Sequence, residues 1–201
     1  MSKTALFAAA RDWNASLVRQ LLAQAPALAA ARDAKGRTAL HLGAGVAAGN
    51  KRDRIPASIA TARALLKGGA DLNAVHEIPD EGEVFPATPL WYALARGRND
   101  RLAKFLLNEG ADPNFCLWTV IWSNQPELVR LLLAAGAATE ERFDGETPLI
   151  YAARLGREEA VLELVAAGAD RSARDSKGFR AADHARRRRL SPAALAAVTP
   201  P

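Results

Sequence analysis

Residues able to do chemistry are few and scattered. The three histidines, His41, His76 and His184, stand far apart in sequence, and the single thiol, Cys116, has no histidine near it. An enzyme needs its reactive groups clustered, and a thiol without a base or a cation beside it behaves as a small apolar side chain. His76 does lie among carboxylates (Glu77, Asp80, Glu81 and Glu83), a set able to hold a divalent cation weakly. The spacing matches no calcium loop, and loop carboxylates of this kind are ordinarily solvated. Asp33-Ala34-Lys35-Gly36-Arg37 has the residue types of a phosphate loop without its spacing, and reads as a tight turn. Four successive arginines, Arg186 to Arg189, could form a nuclear signal or a polyanion patch. They read equally as the solvated face of a terminal helix. No catalytic residue, metal or cofactor is expected.

Composition narrows the class. At 201 residues the chain suits one large domain or one solenoid, and its 49% hydrophobic and 24% charged residues suit a folded, soluble protein. The net charge of +5 comes from 27 basic residues mixed with 22 acidic ones, a mild excess that favours an acidic partner more than nucleic acid. One cysteine cannot form an intramolecular disulfide and fits a reducing compartment. Arg11 and Asp12 interrupt the N-terminal segment before a secretion signal could form, and no apolar run is long enough to span a membrane. These features point to the cytoplasm. The excess of arginine over lysine and the abundance of alanine suggest GC-rich, bacterial coding.

The elements that would position any site recur. Thr147 to Asp170, TPLIYAARLGREEAVLELVAAGAD, reads as two helices joined at Gly156 and closed by Gly168-Ala169-Asp170. Related segments start near Thr4, Thr38, Thr88, Phe115 and, degraded, Arg180. TALH at 38, TPLW at 88, TPLI at 147 and GAD at 69, 110 and 168 carry the pattern. Over nearly the whole chain this resembles the ankyrin repeat, with a period of about 33 residues and a T-P-L-H-x-A signature. The resemblance implies an all-α solenoid of about six helix-turn-helix repeats with short β-turn fingers, forming a single domain over residues 1–201. It also implies that His41 serves structure, by bonding local backbone.

The physics of the segment agrees. Threonine caps each inner helix, and proline follows where an N–H is not needed. Gly97, Gly156 and Asn124 are expected to give the turn between helices a positive φ. The pairs Leu65/Leu66, Leu106/Leu107, Leu131/Leu132 and Leu164/Val165 should bury the outer helix. A lone hairpin cannot bury its apolar face, so copies must stack.

Departures from the period carry the information. About ten extra residues, Gly49 to Ser58, are expected as a charged loop between the helices of repeat two. Residues 74–87 make a finger about seven residues too long, while Asn114 runs into Phe115 with no finger. The long finger is expected to cover the gap left by the missing one.

Trp91 and Trp118 take the signature histidine's place, with Phe7 and Ile150 equivalent, and read as a buried ladder under the fingers. Tyr92 and Tyr151 are expected between repeats. Trp122 falls at the end of an inner helix, where ankyrin proteins face their groove. With Phe143 it is a candidate apolar anchor for a partner. The remaining groove positions are Arg32, Lys35, Arg37, Arg96, Asp144, Glu146, Arg154, Arg174, Lys177 and Arg187. Most are basic, with Asp80 to Glu83 an acidic exception. The resulting expectation is a monomeric, non-enzymatic module that binds a protein, one with an acidic segment, through its groove and finger tips. The alternative is nucleic-acid or other polyanion binding through the arginine-rich surface, with affinity falling steeply with salt.

Overall fold

The computed structural model describes residues 2–47, 49, 52–80 and 83–200. Its backbone contacts group into two compact units, Met1–Asp112 and Pro113–Pro201. The first unit holds three helical hairpins: α1 (Lys3–Arg11) with α2 (Ala15–Gln24), α3 (Ala39–Ala44) with α4 (Ile55–Lys67), and α5 (Pro89–Tyr92) with α6 (Asp100–Asn108). The second holds α7 (Cys116–Trp122) with α8 (Pro126–Ala134), α9 (Pro148–Leu155) with α10 (Glu158–Ala166), and α11 (Ala181–Arg188) with α12 (Pro192–Val198). Within each unit the odd-numbered, inner helices pack on one another and the even-numbered, outer helices do the same.

Local chemistry accounts for the ends of these helices. The hydroxyls of Thr38, Thr88 and Thr147 accept the backbone N–H three residues on, and proline occupies the next position after Thr88 and Thr147. Two starts differ from expectation. Helix α1 is capped by Ser2, whose hydroxyl accepts from the Ala5 N–H, so Thr4 lies inside the first turn. At α7 the cap position is Phe115 in the left-handed region at φ 61°, with no side-chain bond to the helix. Here the missing finger has left the chain to turn on a residue that cannot cap. Asn114 compensates nearby, its side-chain oxygen accepting from the Ala138 N–H at 2.9 Å.

Each outer helix buries one member of its leucine pair completely: Leu65, Leu106, Leu132 and Leu164 are all 0% exposed. Their neighbours Leu66, Leu107, Leu131 and Val165 are half-buried. The signature ladder is buried at Phe7, His41, Trp118 and Ile150 and half-buried at Trp91. Cys116 is fully buried.

In the insertion of repeat two, Asn50 and Lys51 lie outside the described residues, and the segment from Arg52 is helical where a loop was expected. A 3₁₀ turn covers Arg52–Arg54, and α4 begins at Ile55, so Ile55 to Ser58 are helical. Pro56 falls in the first turn, where it costs no hydrogen bond. Arg54 secures the segment by donating to the Asp12 carbonyl at 2.6 Å and lying 5.8 Å from the Trp13 ring centroid.

The long finger is a two-stranded antiparallel sheet, β1 (His76–Asp80) and β2 (Glu83–Ala87), a small addition to the expected all-α fold. Pro79 and Pro86 sit two pairs apart in register, opposite Val84 and Glu77. A proline is tolerated in a ladder where its nitrogen faces away from the partner strand. Each strand therefore gives up an outward donor, which blunts both edges against a stray strand.

In repeat three the inner segment departs from helix. Eleven residues separate Thr88 from the outer-helix cap Asn99, against ten from Thr147 to Arg157. The extra residue is absorbed as a π-turn over Ala93–Gly97. As a result the positive φ falls on Arg98, at 46°, and not on Gly97, whereas Gly156 (74°) and Asn124 (53°) take it as expected.

Candidate functional site

In the first unit the finger at Asp33, the ends of the inner helices and strand β1 enclose a cavity of about 710 Å³. The finger is shaped by Asp33. Its Oδ1 accepts from the Lys35 and Arg37 N–H groups, and its Oδ2 pairs with the Arg37 guanidinium at 2.7 Å. Burial works to raise the Asp33 pKa, but the bonds from Arg37 and Lys35 outweigh it and hold the carboxyl below its usual value. Lys35 and Arg37 from this finger and Arg96 from a distant stretch of sequence meet in this cavity as lining residues. Arg96 reaches it from the π-turn, with its guanidinium 5.9 Å from the Trp91 ring centroid.

A ring cluster forms the cavity floor. The Tyr92 hydroxyl is 2.8 Å from His76 Nδ1, and the Tyr92 ring meets His41 edge-on at 5.2 Å. Burial lowers the His76 pKa, and the nearby Arg37 lowers it further. Burial raises that of Tyr92. His41 is wholly enclosed: Nδ1 faces the Thr38 N–H at 3.1 Å and the Thr38 hydroxyl at 2.8 Å, and Nε2 faces the Ala87 carbonyl at 3.2 Å. Only the neutral ring with its proton on Nε2 satisfies every one of these groups. Burial pushes its pKa down to about 4.

The arginines expected at the groove divide into two kinds. Arg32 donates to Gly36 O at 2.6 Å and Val75 O at 2.7 Å, and Arg174 donates to Gly178 O at 2.7 Å. Both are struts of their fingers. Arg142, not singled out from sequence, does the same to Gly145 O and Arg174 O, each at 2.9 Å. The identical Arg-Asp-x-Lys-Gly runs at 32–36 and 174–178 were the available signal for this shared role.

In the second unit Asp144, Glu146, Arg154, Lys177 and Arg187 line one cavity of about 540 Å³ together with Asp175 and His184. Glu146, only 8% exposed, accepts two bonds from Arg154, at 2.5 and 2.8 Å. Asp175 pairs with His184 at 2.8 Å. Burial works to raise the Asp175 pKa; the His184 bond and two backbone N–H groups lower it below its usual range. Potential ligand atoms of Glu146, Asp175 and His184 lie within 4.8 Å of one another, but Arg154 already neutralises Glu146, which leaves a cation little to gain. Arg154→Ala should therefore destabilise this unit by about 1–2 kcal/mol, because Glu146 would be left buried without its partner while solvent screens part of the loss. A denaturant midpoint unchanged from wild type would refute that.

The apolar candidates separate sharply. Phe143 is half-buried, 6.0 Å from the Trp118 ring, and Trp118 in turn packs on Tyr151 at 5.1 Å. Trp122, at the last position of α7, is 64% exposed. The Glu81 expected in an acidic finger tip lies outside the described residues. Arg11, His76 and Tyr92 line the first cavity without having been expected there as partner residues. Arg11 was legible, because it follows Phe7 by the same four residues that separate Arg154 from Ile150. No described helix is long and apolar enough to cross a membrane.

Comparison with known proteins agrees with this architecture. An ankyrin repeat domain from Acinetobacter baumannii AYE is similar, with a TM-score of 0.77 and 28% identity over 98% of this chain and 97% of that one. A second solved ankyrin repeat protein has a TM-score of 0.73 and 25% identity, with the same coverage. The glycerophosphocholine phosphodiesterase gde1 of Schizosaccharomyces pombe is 34% identical over 109 residues, half of this chain. This chain spans only a tenth of that relative's length. The single ankyrin repeat model matches residues 35–77, and the model described as three copies of the ankyrin repeat matches residues 58–175, more than half of the chain. The protein belongs to the ankyrin repeat family.

Proposed function

We propose that this chain is a non-enzymatic module that binds a protein partner through its finger tips and the ends of its inner helices. Ankyrin repeats generally serve protein–protein interaction, and the fold is typically non-enzymatic. The observation that carries the reading is Trp122, the most exposed large apolar side chain among the described residues. Tryptophan in the open at the end of a rigid helix costs water contact in the free protein and is recovered when a partner covers it. Lys35, Asp144 and Lys177 stand exposed at the finger tips. Asp144 and Lys177, in the same unit as Trp122, provide charge for long-range steering of a partner. A buried lone thiol at Cys116 is compatible with work in the cytoplasm.

Arg154 is a poor choice for testing this idea, since its loss exposes a structural defect at Glu146. The informative variant is Trp122→Ala with Lys177→Glu, neither of which removes a structural partner. In a pull-down from cells of the source organism the double variant should lose the proteins that wild type retains. Recovery of the same proteins at the same levels would refute the reading.

The polyanion alternative rests on Arg186 to Arg189, all exposed. Three of the four have intramolecular work: Arg186 pairs with Asp183, Arg187 stacks 3.9 Å over Phe179, and Arg188 donates to Arg154 O. Binding of a random DNA duplex that falls tenfold or more between 50 and 200 mM salt would favour that alternative.

A further inference from the structure

We infer that the cavity of the first unit is a receptor for an extended acidic peptide, carrying two carboxylates separated by one residue and an apolar side chain beside them. This rests on the protein-binding reading above and names the chemistry of the partner.

Four cations line the cavity: Arg11, Lys35, Arg37 and Arg96. Arg37 is neutralised by Asp33, but Arg11, Lys35 and Arg96 form no ion pair among the described residues. Among the described residues Glu77 is the one acidic lining residue. Leu42, Val46, Ile78 and Pro79 line the same cavity, as do the Tyr92 and His76 rings. The occupant must therefore bring negative charge and apolar surface together. The volume is within the range of sites for drug-sized ligands, enough for a few side chains of a peptide and too small for a folded domain.

The cations' origins decide between a single compact anion and separated charges. Arg11 is the last residue of α1 and Arg96 lies in the π-turn that ends the next-but-one inner segment. Gly45 and Val46, which follow α3, line the same wall. It is thus the C-terminal ends of inner helices that face the cavity, and their carbonyls repel a compact dianion such as phosphate. Among the described lining residues there is one glycine, Gly45, and no glycine-rich run to offset that. The attraction comes wholly from long side chains on different elements, held apart by those elements. Carboxylates at positions i and i+2 of an extended chain point the same way about 7 Å apart, so each can face a cation from a different element.

The test is an array of nine-residue peptides with glutamate at positions 4 and 6 and varied apolar residues at positions 2 and 8, which share their face in an extended chain. A second array carries glutamine in place of both glutamates. Affinities follow from fluorescence polarisation with the full chain, and the contact site from amide chemical-shift changes. Lys35→Glu and Arg11→Glu are the variants of choice, since both side chains are exposed and unpaired and circular dichroism should report an unaltered fold. The expected result is binding of glutamate peptides at least tenfold tighter than their glutamine counterparts, loss of that difference in either variant, and shifts centred on Tyr92, Trp91 and Val46. Equal binding of the two arrays, or shifts elsewhere, would overturn the assignment. Competition by millimolar inorganic phosphate that abolishes binding would overturn it in favour of a phosphoryl site. The protein-binding reading is judged separately: a partner captured through Trp122 whose binding ignores Lys35→Glu and Arg11→Glu would sink the cavity proposal and leave that reading standing.

Discussion

Replacing Gly97 with alanine should destabilise the first unit by about 3 kcal/mol, at the top of the range for overpacked interiors. A Cβ built at Gly97 would lie 2.3 Å from the Ala44 carbonyl oxygen and 3.3 Å from that of Val46. Both are backbone atoms of the neighbouring repeat and cannot rotate away. Gly156, the matching position of repeat five, presents the opposite case. Its Cβ would meet nothing closer than 3.9 Å, from Leu190, but its φ is 74°. There the cost of alanine is conformational, roughly 1–2 kcal/mol. Asparagine separates the two causes, because Asn124 already holds a left-handed φ of 53° in repeat four. Gly156→Asn should cost under about 1 kcal/mol and Gly97→Asn at least as much as alanine. Equal losses for the two asparagine variants in urea titrations would show that the π-turn does not govern the site.

His41 should make stability depend on pH in a window above that of the carboxylates. Its folded pKa of about 4 lies below the ordinary 6.5, so the unfolded chain binds the extra proton first. The stabilisation is complete above pH 6.5 and is lost as pH falls from 6.5 towards 4. Its size at neutral pH is on the order of 3 kcal/mol. Burial is the main cause, and the His76 and Arg32 charges add to it. His76, also lowered, acts in the same direction from the same starting pH. Asp33 and Asp175 are lowered from 3.8, so their contributions are present above that pH and fade only in stronger acid. Unfolding free energies measured between pH 7.5 and 4.5 should fall steadily for wild type and much less for His41→Gln. A ring-proton titration placing His41 near 6.5 would contradict the burial argument.

What could be read from the residues alone was whatever repeats. Thr38, Thr88 and Thr147 state their caps within four residues, and the leucine pairs state the buried face. Where one residue more or less decides the backbone, the period was blind. Gly97 and Gly156 occupy the same place in the motif, yet only the spacing to Asn99 and Arg157 shows that their backbones differ. The start of α4 at Ile55 was hidden for a related reason, because the charges of residues 51–54 and Pro56 suggest a loop although proline is at home in a first turn. The candidate site was legible as a set of cationic positions and not as a set of availabilities. Lys35, Arg37 and Arg96 do meet, but whether an arginine is free depends on acceptors as remote as Val75 is from Arg32, 43 residues away. Such pairings leave no local trace.

The struts have a further consequence. Arg32 joins its own finger to the residue leading into β1, and Arg142 joins its finger to the one that follows. Each finger is thus immobilised by its neighbour during folding, when the loss of loop entropy is offset by the stacking of whole repeats. A partner binding at the finger tips as proposed would meet loops that have little freedom left to surrender, so more of its contact energy would survive as affinity. The same arrangement makes two fingers of each unit a linked pair, in which removing one guanidinium would loosen the tips of two repeats at once.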